Sequence, residues 1–256
     1  MPIVTLLTDF GTADGYVAEM KGVLVTAAPG AALVDVSHDV AAHDVEGARL
    51  AVARYWRRFP RGTVHLAVVD PGVGSARAAL AVESDGRYLV GPDNGVLSPA
   101  LLVAGARAVR LAVGARAAPT FHGRDVFAPA AGRLAAGESL VALGDPADDC
   151  VLRRTPEARR LPDGAIEGCV ITVDRFGNAI TNLVAGAAVA RHGGTLSLGG
   201  RDVPVRRVYA DVEPGAAVAL VGSNGLLEVA VREGSAAARL GLTRGARVVL
   251  RPARGR

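Results

Sequence analysis

Along the first half of the chain, short apolar runs rich in β-formers alternate with stretches of helical spacing. Ile3 to Leu7 is the first such run. Tyr16, Met20, Val23 and Ala27 then recur at helical intervals, and Pro29-Gly30 ends the helix they predict. Leu33 to Val36 reads as the next strand. Asp44 is placed to cap a second helix with an inner face of Val45, Ala48, Val52, Tyr55 and Phe59, and Pro60 follows it. Val64 to Val69 is another buried strand. Alternation of this kind predicts βαβ units, and so a largely parallel sheet covered by helices. Leu80–Val82 and Tyr88–Val90, with Ser84-Asp85-Gly86 between them, read instead as a hairpin. A further helical pattern starts after Asp125 and ends at Gly137, and Pro129 limits how early it can begin.

From Leu143 to Gly164 the texture changes. Gly144, Pro146, Pro156, Pro162 and Gly164 mix with Asp148, Asp149 and paired arginines, which reads as a connection between domains. Beyond it the runs are short and β-like: Ala165–Val173, Ala179–Leu183, Thr195–Leu198, Ala217–Val221, Leu226–Val231 and Ala246–Leu250. Turn residues separate them at fairly regular intervals. The expectation is an α/β domain over residues 1–150 and a smaller antiparallel β-barrel or sandwich over residues 164–256. Asn94-Gly95 and Asn224-Gly225 read as type I′ turns.

The chain has 256 residues, half of them hydrophobic, enough for a core that needs neither disulfides nor metal. Cys150 and Cys169 are far apart and form no CxxC, so two free thiols in a reducing cytosol are expected. The N-terminal residues lack a basic region and soon meet Asp9, and no apolar stretch reaches membrane-spanning length. A cytoplasmic protein without a membrane partner is the expectation. The net charge of +4 invites a nucleic-acid reading. That reading fails on distribution: Lys21 is the only lysine, the arginines are scattered, and aromatics for stacking are 4% of the chain.

Candidate chemistry sits in polar clusters at the ends of these runs, where open α/β folds build their sites. Asp9, after the first strand, suits a ribose diol, but by itself it reads more readily as a helix N-cap or turn aspartate. Asp70-Pro71-Gly72-Val73-Gly74-Ser75 reads as a phosphate cradle, as a turn, or as a loop across which Asp70 faces Arg77. It lacks the full spacing of a dinucleotide or P-loop motif. His122, between Phe121 and Gly123, suits a base, a positioned donor or a structural histidine. His38 and His43 with Asp35, Asp39 and Asp44 suggest a metal only weakly, because the segment reads as a strand exit leading to a helix cap. In Asp174-Arg175-Phe176-Gly177-Asn178 a carboxylate and an aromatic face together suit an ammonium group and an adenine ring, although the segment also reads as a hairpin loop.

Taken together the clusters resemble the S-adenosyl-L-methionine (SAM) hydrolases, also called SAM hydroxide adenosyltransferases, relatives of the SAM-dependent chlorinases and fluorinases. The resemblance runs in order through TLLTDFG from Thr5, VDVSHDV from Val34, VVDPGVGSAR from Val68, GPDNGVLSPA from Gly91, TFHGRDVFAPAA from Thr120, VDRFGNAITNL from Val173 and GSNGLLEVAV from Gly222. It implies an N-terminal α/β domain, a C-terminal β-barrel, and a homotrimer with SAM where neighbouring subunits meet. By the same resemblance the hydrolytic set falls on Asp70, Arg77 and His122, the ribose-binding carboxylate on Asp9, and the holder of the methionine ammonium on Asp174. Phe176, Asn178, Ser223 and Asn224 match the adenine and methionine pockets. The fluorinating relatives have a serine near the position of Gly123, a non-histidine residue in place of His122, no aspartate matching Asp70, and an inserted loop that this chain lacks. The departures favour water as nucleophile. The implied reaction is SAM plus water giving adenosine and L-methionine, with SAM as substrate and with no cofactor and no metal. A SAM-dependent chlorinase, a trimer that binds SAM or adenosine without turnover, and a metal-dependent phosphoesterase built on Asp9, Asp70 and His122 are the alternatives.

Overall fold

A computed structural model of the protein describes residues 1–184 and 194–253. It divides into two compact units, Met1–Arg154 and Thr155–Arg256. The division falls within the Pro- and Gly-rich stretch.

The first unit holds strands β1 (Ile3–Thr8), β2 (Ala32–Ser37), β3 (Val64–Val68), β4 (Ala79–Ser84), β5 (Arg87–Pro92), β6 (Arg107–Leu111) and β7 (Gly144–Pro146). They form one sheet in the order β2-β1-β3-β5-β4-β6-β7. The pairs β1–β2, β1–β3 and β3–β5 are parallel, and the pairs beyond β5 are antiparallel. The expected hairpin is what turns the sheet from one mode to the other. Helices α1 (Tyr16–Ala27) and α4 (Ala128–Ala135) cover one face; α2 (Val45–Tyr55) and α3 (Ser98–Leu101) cover the other.

Strand alternation sorts the side chains between two cores. Leu6, Leu66 and Val68 join Met20, Leu24 and Phe127 on one face; Leu7, Ala67 and Val69 join Val52, Trp56 and Leu97 on the other. Asp44 caps α2 as expected, its carboxylate accepting from the Gly47 amide at 3.0 Å. The helical pattern after Asp125 is longer than its spacing suggests. A π-helical turn over Gly123–Phe127 leads directly into α4, so Pro129 sits in the first turn of α4, where its missing N–H costs nothing.

The second unit is a closed barrel. Its strands are β9 (Ile166–Val173), β10 (Ala179–Val184), β11 (Gly194–Leu198), β12 (Arg201–Val205), β13 (Ala217–Val221), β14 (Leu226–Val231) and β15 (Arg247–Pro252), with the short β8 (Arg159–Arg160) on the outside of β9. The order β10-β14-β13-β12-β11-β15-β9 closes through the β9–β10 pair, which leaves no open edge in the ring. Leu183, Leu196, Val203, Val229 and Leu250 fill the interior, and a short helix α5 (Ala236–Leu240) packs on β14.

The type I′ signal lies elsewhere than expected. Positive φ at both central residues occurs at Asp85 (48°) and Gly86 (70°), between β4 and β5, and at Gly199 (53°) and Gly200 (77°), between β11 and β12. Asn94 and Asn224 keep negative φ. Their side-chain oxygens accept from the amides of Val96 and Leu226, and this local bond fixes an ordinary turn instead. Both cysteines are free and partly buried. Among the described residues no helix is long and apolar enough to cross a membrane.

Candidate active site

The site in the first unit is assembled by strand register. β1 and β3 lie side by side with Thr8 opposite Val68, so Asp9 and Asp70 leave the sheet at the same edge. That is the carboxyl edge of the parallel strands, where ligands bind in open α/β sheets. The loop after β3 folds on itself: Val73 N donates to Asp70 O at 3.2 Å, and Ser75 N donates to Gly72 O at 3.1 Å. Those amides are therefore consumed inside the loop, and the phosphate-cradle reading is the weaker one. The loop's turns instead bring Arg77 back over Asp70. Arg77 Nε donates to Asp70 Oδ1 at 3.0 Å and Nη2 donates to Oδ2, the two-pronged geometry in which a guanidinium best matches a carboxylate.

His122 arrives from a different direction, at the start of the π-helical turn, and completes the cluster. Arg77 Nη2 also lies 2.9 Å from His122 Nδ1. An arginine can only donate, so Nδ1 accepts and the imidazole proton sits on Nε2. His122 is thus a neutral ring that offers an Nε2–H. Burial lowers its pKa below the ordinary histidine value, the Arg77 charge lowers it further, and Asp70 and Asp125 oppose them only in part. The side chains of Asp70, Arg77 and His122 are all nearly buried. Arg77 also lies over the Phe127 ring, 5.2 Å from its centre.

Two backbone contacts hold this arrangement. Gly74 lies so close to the segment before His122 that a Cβ there would stand 2.5 Å from the Pro119 carbonyl oxygen. Asn94 does more than make a turn: its Nδ2 donates to Val69 O at 2.8 Å, one residue before Asp70. The Asp9 Oδ2 accepts from the His43 amide at 2.8 Å. Phe10, Tyr16 and Phe121 pack edge to face beside it, with ring centres 5.3–6.1 Å apart. His38 and Asp35 form a hydrogen-bonded pair with each other. Among the described residues no group of three or more His, Cys, Asp or Glu is arranged to hold a metal ion.

The residues in the second unit form their own cluster on the barrel. Asp174 Oδ1 accepts from the amides of Phe176 and Asn178, both at 2.9 Å, and Oδ2 accepts from Asn178 Nδ2 at 3.1 Å. The carboxylate thus builds the β9–β10 hairpin loop and keeps further lone pairs for a cation. That loop lifts the Phe176 ring into solvent, 79% exposed. A hollow of about 470 Å³ opens beside it, lined by Phe176, Asn178, Tyr209, Val231, Arg232 and Glu233. Tyr209 and Glu228 are missing from the sequence reading. The Tyr209 hydroxyl donates to Glu228, and burial with that carboxylate pushes the phenol up to about 12. Ser223 and Asn224 occupy the exposed β13–β14 turn, which begins at Gly222 close to the Glu228 carboxylate. Tyr209 carries no motif; its only signal is an aromatic in a chain that has few.

Comparison with known proteins gives the family of the chain. The SAM hydroxide adenosyltransferase N-terminal domain model matches residues 4–144, and the C-terminal domain model of the same family matches residues 168–249. The chain is 47% identical to an (R)-S-adenosyl-L-methionine hydrolase of Thermus thermophilus, covering 94% of this chain and 96% of that protein. It is 41% identical to a protein of the same name from Salinispora arenicola, covering 95% of each. A fluorinase of Actinopolyspora mzabensis is more distant, 30% identical over 90% of each. Among solved structures, a conserved protein of Thermotoga maritima superposes with a TM-score of 0.87 at 29% identity, covering 96% of this chain and 99% of that one. With two family models covering most of its length and relatives of this identity, the chain belongs to the SAM hydroxide adenosyltransferase family.

Proposed function

We propose that the protein hydrolyses SAM to adenosine and L-methionine, with water attacking ribose C5′ in line with the departing sulfur. The observation that carries the reading is Arg77 donating to both Asp70 and His122 in one nearly buried cluster. The charges balance as follows. SAM carries a sulfonium, the C5′–S bond takes its electron pair to sulfur, and methionine leaves as a neutral thioether. The attacking water forms the new C5′–O bond and releases one proton. Departure therefore needs no acid, and the difficulty lies in the nucleophile.

Arg77 and His122 meet that difficulty as donors. Arg77 keeps an Nη1 proton beyond its bonds to Asp70 and His122, and His122 presents Nε2–H. Two donors on the water oxygen stabilise the hydroxide character that grows as its proton leaves. His122 with this tautomer does not take that proton. An ordinary aspartate, with a pKa of about 3.9, does not ionise water outright, so the proton passes to Asp70, and from it to solvent, only as the C5′–O bond forms and the attacking oxygen turns acidic. Exclusion of bulk water strengthens the attraction between sulfonium and the developing hydroxide. Asp9 holds the ribose diol. Asp174 holds the methionine ammonium, and Phe176, Asn178, Ser223 and Asn224 line the adenine and methionine pockets.

The same reading makes the protein a metal-independent cytoplasmic homotrimer with SAM bound where neighbouring subunits meet, without nucleic-acid or membrane partners. Light scattering on the pure protein is expected to give three chains, and a monomer contradicts that part. Pure protein incubated with SAM and no halide is expected to release equal amounts of adenosine and methionine, with no loss on adding a chelator. A chloride requirement with 5′-chloro-5′-deoxyadenosine as product would falsify the hydrolase reading in favour of the chlorinase. Binding without methionine release leaves the non-catalytic reading.

Acid sensitivity follows from His122. Its pKa is depressed, so Nδ1 stays free to accept from Arg77 throughout the neutral range. Protonation breaks that bond, and the folded form loses the stability tied to neutral His122 as pH falls below about 6.5 towards the depressed value. The expected kcat is flat from neutral pH upward on this group's account and drops only below the ordinary histidine value. A limb centred above pH 7 that disappears in His122→Asn contradicts this assignment.

A further inference from the structure

Thr8, His38 and Asp35 stand in one hydrogen-bonded row that has no part in the chemistry above. Thr8 Oγ1 lies 2.8 Å from His38 Nδ1, and His38 Nε2 lies 3.0 Å from Asp35 Oδ1. Lys21, the only lysine of the chain, holds the other carboxylate oxygen of Asp35 at 2.6 Å. The row has the composition of a hydrolytic triad, but it is wired the opposite way. The acid takes Nε2 and the hydroxyl takes Nδ1, and Thr8 is fully buried. Its hydroxyl is also engaged, accepting from the Phe10 amide at 3.3 Å.

What the row does hold is the turn that carries Asp9. Lys21 already balances the Asp35 charge. The carboxylate can only accept, so a neutral His38 places its proton on Nε2 and leaves Nδ1 to accept from the Thr8 hydroxyl. The Thr8 oxygen in turn accepts from Phe10 N. From the other side, the His38 carbonyl accepts from Gly11 N at 2.8 Å. Thr8 by its hydroxyl, and Phe10 and Gly11 by their amides, are thus held on both flanks of Asp9. The Asp9 carboxylate itself is aimed by the amide of His43, which adopts a left-handed conformation (φ 67°) to reach it. β2 pairs with β1 out of step after Leu6, so Leu7 faces Ser37 and the β2 exit swings towards the Asp9 turn.

We infer that His38, as the neutral Nε2–H tautomer, is a positioning residue that clasps the Asp9 turn through Thr8 and through its own carbonyl and so sets the affinity for SAM. The inference rests on the reading that Asp9 binds the ribose diol. It predicts a split between binding and turnover. His38→Ala and Thr8→Val are each expected to raise KM for SAM about tenfold and to leave kcat within about twofold, because the lost interaction serves ground state and transition state alike. Thr8→Ser keeps the hydroxyl and His38→Asn keeps an oxygen near the Nδ1 position, so both are expected to recover most of the affinity. In an Asp9→Ala background, His38→Ala is expected to add less than about twofold.

The outcomes separate. If Asp9→Ala leaves SAM affinity unchanged, the ribose reading falls. If Asp9→Ala weakens SAM binding and His38→Ala costs the same factor with and without it, the clasp falls alone. A measurement on the unaltered protein needs no variant to fold. In ¹⁵N spectra of histidine-labelled full-length protein at neutral pH, His38 is expected to show an unprotonated Nδ1 and a protonated Nε2. A ring protonated on Nδ1, alone or on both nitrogens, overturns the inference.

Discussion

Replacing Asp70 by Asn is expected to lower kcat about 100-fold, equivalent to about 2.7 kcal/mol of barrier, with KM for SAM within about threefold. Both oxygens of Asp70 are engaged by Arg77, and the same Arg77 nitrogen that reaches Oδ2 also reaches His122. An amide at position 70 sets an N–H against one of those donors, so the guanidinium turns and the His122 contact goes with it. The water then loses two oriented donors together, which is why the cost exceeds that of a single hydrogen bond. Asp70→Ala adds a stability cost of about 3 kcal/mol, because it leaves a nearly buried guanidinium without its carboxylate. Steady-state kinetics with a denaturant titration on each variant checks both statements. Near-normal turnover in Asp70→Asn removes the cluster from the mechanism.

Gly91→Ala is expected to destabilise the N-terminal unit by about 2–4 kcal/mol, a fall in midpoint of about 5–15 °C. Gly91 lies in β5 beside β3, and a Cβ there would stand 2.3 Å from the Ala67 carbonyl oxygen. The obstacle is backbone in the middle of a sheet, which no rotamer change relieves, so the two strands must part. β3 carries Asp70 at its end, so activity is expected to fall with the fold. Gly22→Ala, on α1, is the control. A Cβ there meets nothing within 4 Å, and the change is expected to be neutral or stabilising by about 0.5–1 kcal/mol. Equal effects from the two substitutions contradict the close-approach argument.

In the first unit β1, β3 and α2 were legible because their patterns are strong: Ile3–Leu7 and Val64–Val69 are uninterrupted apolar runs, and Asp44 caps α2; β6, β7 and α3 are short and were not read. β12 was not. Arg201-Asp202 opens it and Pro204 sits inside it, which hides the alternation of Val203 and Val205. The turn signals misled where asparagine prefers to bond its own backbone: Asn94 and Asn224 do so, and left-handed pairs occur at Asp85-Gly86 and Gly199-Gly200. At the site, the Asp70–Arg77 pair was visible as one of three readings of a single loop. His122 stood out on its own only as a lone histidine that fits several roles, and the ordered resemblance alone joined it to Arg77, 45 residues away in sequence. Tyr209 carries no motif, Glu228 and His38 lie inside quoted segments that gave them no such role, and only folding brings the three to the places where they act.

The most direct measurement of the central claim is the position of oxygen label after a single turnover. Pure protein and SAM are mixed in ¹⁸O-water without halide, and the products are separated by mass. Adenosine carrying one heavy oxygen at O5′, with unlabelled methionine, is the expected result. Adenosine without label, or a 5′ substituent other than oxygen, means that Arg77 and His122 do not direct water onto C5′.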